Sequence, residues 1–216
     1  MLYLSGSGIL PVTSDYRRQR SEMNPDELRE SVNQAYSQIA ESPQQDAPFP
    51  TGRALAESLG YLAGLLNSLP VAAVEAFCGV STVSLFAEIP AGSTVLDLGC
   101  GSGTDALVAA RRTGPHGKVF AVDFSISMIQ RAREAAAQSA MQNVEILLSD
   151  AERLPVEHET IDVALVNGIF NLNPFRSRIF SELCRVVKPG GAVYAAELIL
   201  AKPLSEKEKS TLSWFC

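Results

Sequence analysis

Between residues 91 and 200 the sequence keeps a rhythm that few folds satisfy. Short runs rich in Val, Ile and Leu at 94–98, 118–122, 144–148, 161–166 and 192–198 alternate with stretches of helical period. One such stretch carries Ile126, Ile129, Ala132 and Ala136; another carries Ile179, Leu183, Val186 and Val187 and is capped by Asn173 and Pro174. Runs that are apolar on both faces, separated by amphipathic helices, belong to a parallel sheet covered on both sides. The expectation is an α/β fold, a doubly wound parallel sheet with helices on both faces. Ligands of such sheets bind beyond the carboxyl ends of the strands, near the switch in strand order.

Residues 25–90 read as helices. Asn24 is a good N-cap, Pro25 suits the first helical position, and Asp26 and Glu27 suit the positive end of the helix dipole. Leu28, Val32, Ala35, Ile39 and Ala40 recur at helical spacing. A polar, proline-bearing break follows at 42–50, then helical pieces over 51–77, interrupted near Gly60 and Pro70. The chain thus divides into a loosely ordered arm (1–24), a helical cap (25–90) and an α/β domain (91–216).

At 216 residues, 46% hydrophobic and 19% charged, the chain can bury a full core. Its formal net charge of -6 argues against a nucleic-acid partner, which selects a basic face. No apolar stretch approaches the ~20 residues of a membrane span. Arg17, Arg18 and Arg20 follow the mildly apolar start instead of preceding it, the wrong order for a secretory signal. Cys78, Cys100, Cys184 and Cys216 show no paired spacing. Neither a disulfide framework nor a metal site is expected from them; reduced thiols in a cytoplasmic protein are.

The first strand runs straight into Asp97-Leu98-Gly99-Cys100-Gly101-Ser102-Gly103-Thr104-Asp105. Alternating glycines allow a tight turn and bring bare backbone against a ligand. A dinucleotide loop has the spacing G-x-G-x-x-G, with a pyrophosphate at the helix N-terminus. Here the spacing is G-x-G-x-G, position 104 is threonine, and Asp97 and Asp105 flank the turn. Carboxylates repel a phosphate and attract an ammonium or a sulfonium. Asp123 ends the second strand, where a carboxylate accepts hydrogen bonds from ribose hydroxyls. Asp150 ends the third, in Ser149-Asp150-Ala151-Glu152, a place from which a carboxylate reaches an adenine amino group. A single acid there is usually a helix cap or turn residue. Acids at the ends of successive strands carry the argument together.

Val95-Leu96-Asp97-Leu98-Gly99-Cys100-Gly101-Ser102-Gly103, Val122-Asp123-Phe124-Ser125, Ser149-Asp150-Ala151-Glu152 and Arg185-Val186-Val187-Lys188-Pro189-Gly190-Gly191 resemble the ordered motifs of class I S-adenosylmethionine-dependent methyltransferases. The resemblance covers about residues 94–200. It implies a Rossmann-like domain with S-adenosyl-L-methionine as cofactor. The glycine loop (Asp97, Gly99, Gly101, Gly103, Asp105) would hold the methionine portion, Asp123 the ribose with Phe124 beside it, and Asp150 with Ala151 the adenine. It also implies that Tyr36 closes over the cofactor from the helical cap; packing of its ring within the cap is the other reading.

Asn167-Gly168-Ile169-Phe170-Asn171-Leu172 and Gly101-Ser102-Gly103-Thr104-Asp105 are similar to the arsenite methyltransferase-like group, itself similar to quinone-biosynthesis methyltransferases. Arsenite methyltransferases bind the metalloid through cysteine thiolates, one of them in the first of these runs, where this chain has Gly168. Cys78 and Cys184 are the candidates to substitute, although Cys184 is expected on the apolar side of its helix, in the core. Family members continue past the fifth strand with a helix and a strand pair. This sequence stops at Ser213-Trp214-Phe215-Cys216, after a helix-like 205–212, so the C-terminal strands are missing and an open sheet edge invites self-association.

Methyl transfer from a sulfonium is an in-line displacement that asks for alignment and exclusion of water. A general base is needed only for an acceptor that arrives protonated. Asn167 and Asn171, after the fourth strand, are the candidate catalytic residues, Asn167 also touching the cofactor; backbone capping is the alternative role for both. His116 and His158 are expected at the surface. The expected partner is a small-molecule methyl acceptor. Two other functions fit a glycine-turn α/β domain: an NAD(P)-binding oxidoreductase, disfavoured by Thr104 and the flanking acids, and a non-catalytic cofactor-binding or assembly module.

Overall fold

The computed structural model describes residues 24–43 and 49–199. The expected arm ahead of Asn24, the helix at 205–212 and the terminal Trp214 and Phe215 lie outside the described residues.

Helix α1 (Pro25–Glu41) starts at its sequence signals, with Asn24 Oδ1 accepting the Asp26 N–H at 3.0 Å. Shorter helices follow: α2 (Gly52–Leu59), α3 (Ala63–Asn67), α4 (Val71–Glu75) and α5 (Val83–Phe86). Gly60 ends α2 in the left-handed region at φ 110°, a conformation that favours glycine. Pro70 stands at the N-cap of α4.

Then come β1 (Thr94–Leu98), α6 (Thr104–Thr113), β2 (Lys118–Asp123), α7 (Ile126–Ser139), β3 (Val144–Leu148), β4 (Ile161–Asn167), a 3-10 turn (Phe170–Leu172), α8 (Arg176–Val186) and β5 (Val187–Ala196). The strands form one parallel sheet in the order β3-β2-β1-β4-β5. The order reverses between β1 and β4, which places the switch point at the carboxyl end of β1.

Alternation along the strands assigns the two faces. Val95, Val119, Ala121, Val163 and Leu165 pack with Ala106, Ala109 and Ala110 of α6, with Ile129 of α7 and with Val83 of α5. Leu96, Leu98, Val122, Ala164 and Val166 pack with Ile179, Leu183 and Val186 of α8. The second face has no crossover helix between β3 and β4. Residues 149–160 cover it instead, through buried Leu154 and Val156. Helix α8 pins that segment: Glu182 accepts the Leu154 N–H at 2.6 Å, and Arg185 donates to the carbonyls of Val156 and Leu154 at 2.8 and 3.0 Å.

The last helix and strand differ from the sequence reading. Helix α8 begins at Arg176, with Asn173 Oδ1 accepting the Phe175 N–H at 2.6 Å in the turn that precedes it. Val187 opens β5 instead of closing the helix, and β5 runs Val187–Ala196. Cys184 is exposed, not in the core. It follows Leu183 directly, and one residue is a turn of about 100° away from the buried stripe of Ile179, Leu183 and Val186.

Candidate functional site

A cavity opens at the carboxyl ends of β1, β2 and β4 and is roofed by α1. Pro25, Arg29, Val32 and Tyr36 face it from the roof, at the i, i+4, i+7, i+11 spacing of one helical face. Its floor includes Asp97, Gly99, Gly101, Asp105, Asp123 and Phe124, and its far wall includes Asp150, Ala151, Asn167 and Gly168.

The glycine turn is shaped by the strand beside it. The N–H groups of Gly99 and Cys100 donate to the Val122 carbonyl at 2.8 and 3.0 Å, and Gly101 N–H donates to Asp123 Oδ2 at 2.9 Å. Ser102 and Thr104 donate from their hydroxyls to the Ala73 carbonyl at 2.5 and 2.8 Å, tying the turn to α4. Threonine at position 104 thus has a physical reason: it anchors the turn to the helices. Gly103 does not line the cavity. It caps α6 at φ 90°, and a Cβ there would approach Ala132 Cβ of α7 at 3.3 Å.

Asp97 is buried, and one carboxylate oxygen, Oδ2, has no hydrogen-bond partner among the described residues. Burial, and then the charges of Asp105 and Asp123, push its carboxyl well above the ordinary carboxylate range, while the Ala106 N–H opposes the shift. A buried oxygen of this kind costs free energy until a donor reaches it, and a cationic donor satisfies it best. Asp123 is also raised by burial, against the N–H groups of Ser125, Gly101 and Phe124. Its two oxygens retain lone pairs for further donors. Asp105 turns its oxygens to the protein: Tyr61 hydroxyl and Ser84 N–H donate to Oδ1, and Asn167 Nδ2 donates to Oδ2.

Asn167 lines the cavity, yet its amide is fully engaged. Oδ1 accepts the N–H groups of Val80 and Ser81 at 2.9 and 3.1 Å, and Nδ2 donates to the Ser81 carbonyl and Asp105 at 2.8 Å each. Asn171 is not on the cavity wall. Its Nδ2 donates to the Leu198 carbonyl at 2.6 Å, its N–H to Glu197 at 3.0 Å, and its Oδ1 accepts from Arg176 at 3.2 Å. The Asn167 side chain thus binds backbone groups of Val80 and Ser81, and that of Asn171 a backbone carbonyl and a guanidinium.

Burial pushes the Cys78 thiol, on the cavity wall, up to about 12, with the Asp123 charge adding to it; Cys100, also on the wall, is raised in the same way. Gly168 sits at φ 82°, and a Cβ there would come 3.1 Å from Val80 Cγ1, so a cysteine does not suit this backbone. Tyr36 is on the roof; burial, then Cys78, Asp123 and Glu197, raise its hydroxyl. Its ring also packs on Phe49, with centroids 5.9 Å apart, so the cavity and the cap packing share it. His116 and His158 are exposed and off the wall. Among the described residues, no group of three or more His, Cys, Asp or Glu is placed to hold a metal ion. Arg29 is one of the wall residues that the sequence reading missed; an arginine on a surface helix carries no signal of what its face covers.

A parallel sheet in this order, with a glycine turn after β1 and acids at the ends of β1, β2 and β3, is the Rossmann-like methyltransferase fold. The model of the methyltransferase domain matches residues 89–214. An arsenite methyltransferase of Halobacterium salinarum is 33% identical over 90% of this chain and 53% of its own length. A demethylmenaquinone methyltransferase of Shouchella clausii is 32% identical over 51% of this chain and 47% of its own. Among solved structures, an arsenic(III) S-adenosylmethionine methyltransferase from Chlamydomonas reinhardtii aligns over 76% of this chain and 54% of that one, at TM-score 0.55 and 25% identity. The chain belongs to this family of S-adenosylmethionine-dependent methyltransferases. It spans about half the length of the curated relatives it matches.

Proposed function

We propose that this chain transfers a methyl group from S-adenosylmethionine to a small-molecule acceptor by in-line displacement. The observation that carries the reading is the buried, unpartnered Asp97 Oδ2 on the wall of a cavity floored by bare glycine backbone. An ammonium satisfies that oxygen, whereas a pyrophosphate would meet it with repulsion. The match to the methyltransferase family and the acids around the turn leave hydride transfer with a dinucleotide without support.

In this reading Asp97 and the backbone of Gly99 and Gly101 hold the methionine end, Asp123 the ribose hydroxyls, and Asp150 with Ala151 the adenine, Phe124 lying beside it. Gly101 suits close approach by a ligand, since a Cβ on it would meet nothing within 4 Å and its surface is open. The cofactor supplies a methyl group on a sulfonium, activated without help from a protein acid. Helices α1 to α5 act as the cap, Val32 and Tyr36 helping to exclude water from the roof side. Both histidines lie off the wall, and Asp105 and Asn167 are bonded to the protein, so none of these four is a free base at the cavity.

The relatives named for arsenite and for demethylmenaquinone define the acceptors to try first. Among the described residues, the thiols that arsenite could meet at the cavity are Cys78 and Cys100, since Gly168 offers no sulfur and Cys184 is off the wall. A small molecule, and not a nucleic acid, fits the net charge of -6. No helix among the described residues is long and apolar enough to cross a membrane.

The test is incubation of the full chain with methyl-labelled S-adenosylmethionine and a panel of arsenite, thiols and quinols, following S-adenosylhomocysteine. Label in at least one acceptor is expected. Binding of the cofactor with no transfer to any acceptor would favour the non-catalytic module.

A further inference from the structure

We infer that Arg29, on the roof helix, is a cofactor-contacting residue that closes the adenine slot from above. The inference rests on the cofactor reading and adds to it a residue that no motif marks. Arg29 Nη2 donates to Asp150 Oδ1, and the guanidinium carbon stands 5.7 Å above the centroid of the Phe124 ring. The three groups enclose a slot, with Phe124 as floor, Arg29 as lid and Asp150 at the edge.

The slot as it stands is too narrow for one flat heterocycle and has to widen to take it. A ring in van der Waals contact on both faces needs roughly 7 Å between its flanking groups. The slot therefore opens by roughly 1–2 Å to admit it. Arg29 can move that far easily, because its side chain is 44% exposed and an exposed ion pair is a weak restraint. A planar guanidinium stacks on an aromatic face as well as it pairs with a carboxylate. Asp150 has two oxygens, enough to keep Arg29 on one while the other accepts an exocyclic amine. The helix face then follows the ligand along its length. Tyr36 lies seven residues beyond Arg29, roughly 10 Å along the axis, and its electrostatic neighbours are Cys78, then Asp123, the residue assigned to the ribose, and Glu197.

The experiment is calorimetry on the full chain with S-adenosylhomocysteine and with adenosine, for the wild type, Arg29→Ala and Arg29→Lys, with circular dichroism to verify folding. Arg29→Ala is expected to weaken both ligands by roughly three- to thirty-fold. Lysine, which restores the charge without the plane, recovers little of the loss. Unchanged binding in Arg29→Ala overturns the inference. Tighter binding also overturns it, since Arg29 would then be a bolt the ligand must displace. Full recovery by lysine overturns the stacking geometry. Failure of the wild type to bind either ligand removes the cofactor reading, and this inference with it.

Discussion

Asn167 Nδ2 donates to Asp105 Oδ2 at 2.8 Å, joining the carboxyl end of β4 to the first turn of α6 across the switch point of the sheet. The same amide holds the backbone of Val80 and Ser81, so it also fixes the segment that carries Cys78 and Gly79 to the cavity. Tyr61 completes the link on the other oxygen of Asp105. The cap and the glycine turn are thereby one hydrogen-bonded unit.

Asn167→Ala leaves the Val80 and Ser81 N–H groups and Asp105 Oδ2 without this partner. Destabilisation of roughly 3 kcal/mol is expected, measured as a lower urea midpoint at unchanged slope. A change below about 0.5 kcal/mol, the range of an ordinary surface substitution, would show that the amide does not fix the unit.

Arg131 of α7 joins α1 and α4: it donates to the carbonyls of Ala72 and Ala40 at 2.8 and 2.6 Å and pairs with Glu75 at 3.0 Å. Arg131→Ala exposes those carbonyls to loss of their partner and is expected to cost roughly 2–4 kcal/mol. Hydrogen exchange should show faster opening of α1 and α4 than of the sheet. Lysine cannot span all three acceptors and should rescue only in part.

Asp97 makes the ligand-free protein sensitive to pH. Its folded pKa lies above the unfolded value, so the native state binds more protons between the two, and stability falls as pH rises from the ordinary carboxylate range through the folded value. Asp97→Asn removes that loss. The variant should melt higher than the wild type, by a margin that widens as pH rises above the ordinary carboxylate range, with about 2–4 °C for each kcal/mol. A margin independent of pH would contradict the shift.

The thiols should separate by reactivity. Cys184 is exposed, whereas Cys78 is pushed up to about 12 and stays protonated at neutral pH. Limited alkylation at pH 7 followed by peptide mass spectrometry should modify Cys184 well before Cys78. Equal rates would place a thiolate in the cavity and revive a metalloid acceptor.

The strands at 94–98 and 144–148 were legible in the sequence to the residue because short runs rich in Val, Ile and Leu between helical and turn segments read as strands, although only the first is buried on both faces. Asn24 and Pro25 announced α1 through local chemistry alone. What stayed hidden depends on packing. Cys184 counts as apolar in a periodicity, but lies off the buried stripe. Asp105 looked like a ligand-facing acid until Tyr61, Asn167 and Ser84, all remote in sequence, filled its oxygens. Arg29 reads as a solvated charge because nothing in a single helix says which cavity its face covers. Gly103 belongs to the motif, yet serves helix packing against Ala132.

The central claim is that the orphan oxygen of Asp97 awaits the ammonium of S-adenosylmethionine. Calorimetric titration of the full chain with S-adenosylmethionine, beside Asp97→Asn and with NAD as control, tests it most directly. Saturable binding is predicted for the wild type, none for NAD, and a loss of roughly ten- to hundredfold in a variant that remains folded. An Asp97→Asn variant that binds as tightly as the wild type, or a folded wild type that binds NAD and not S-adenosylmethionine, would contradict the account.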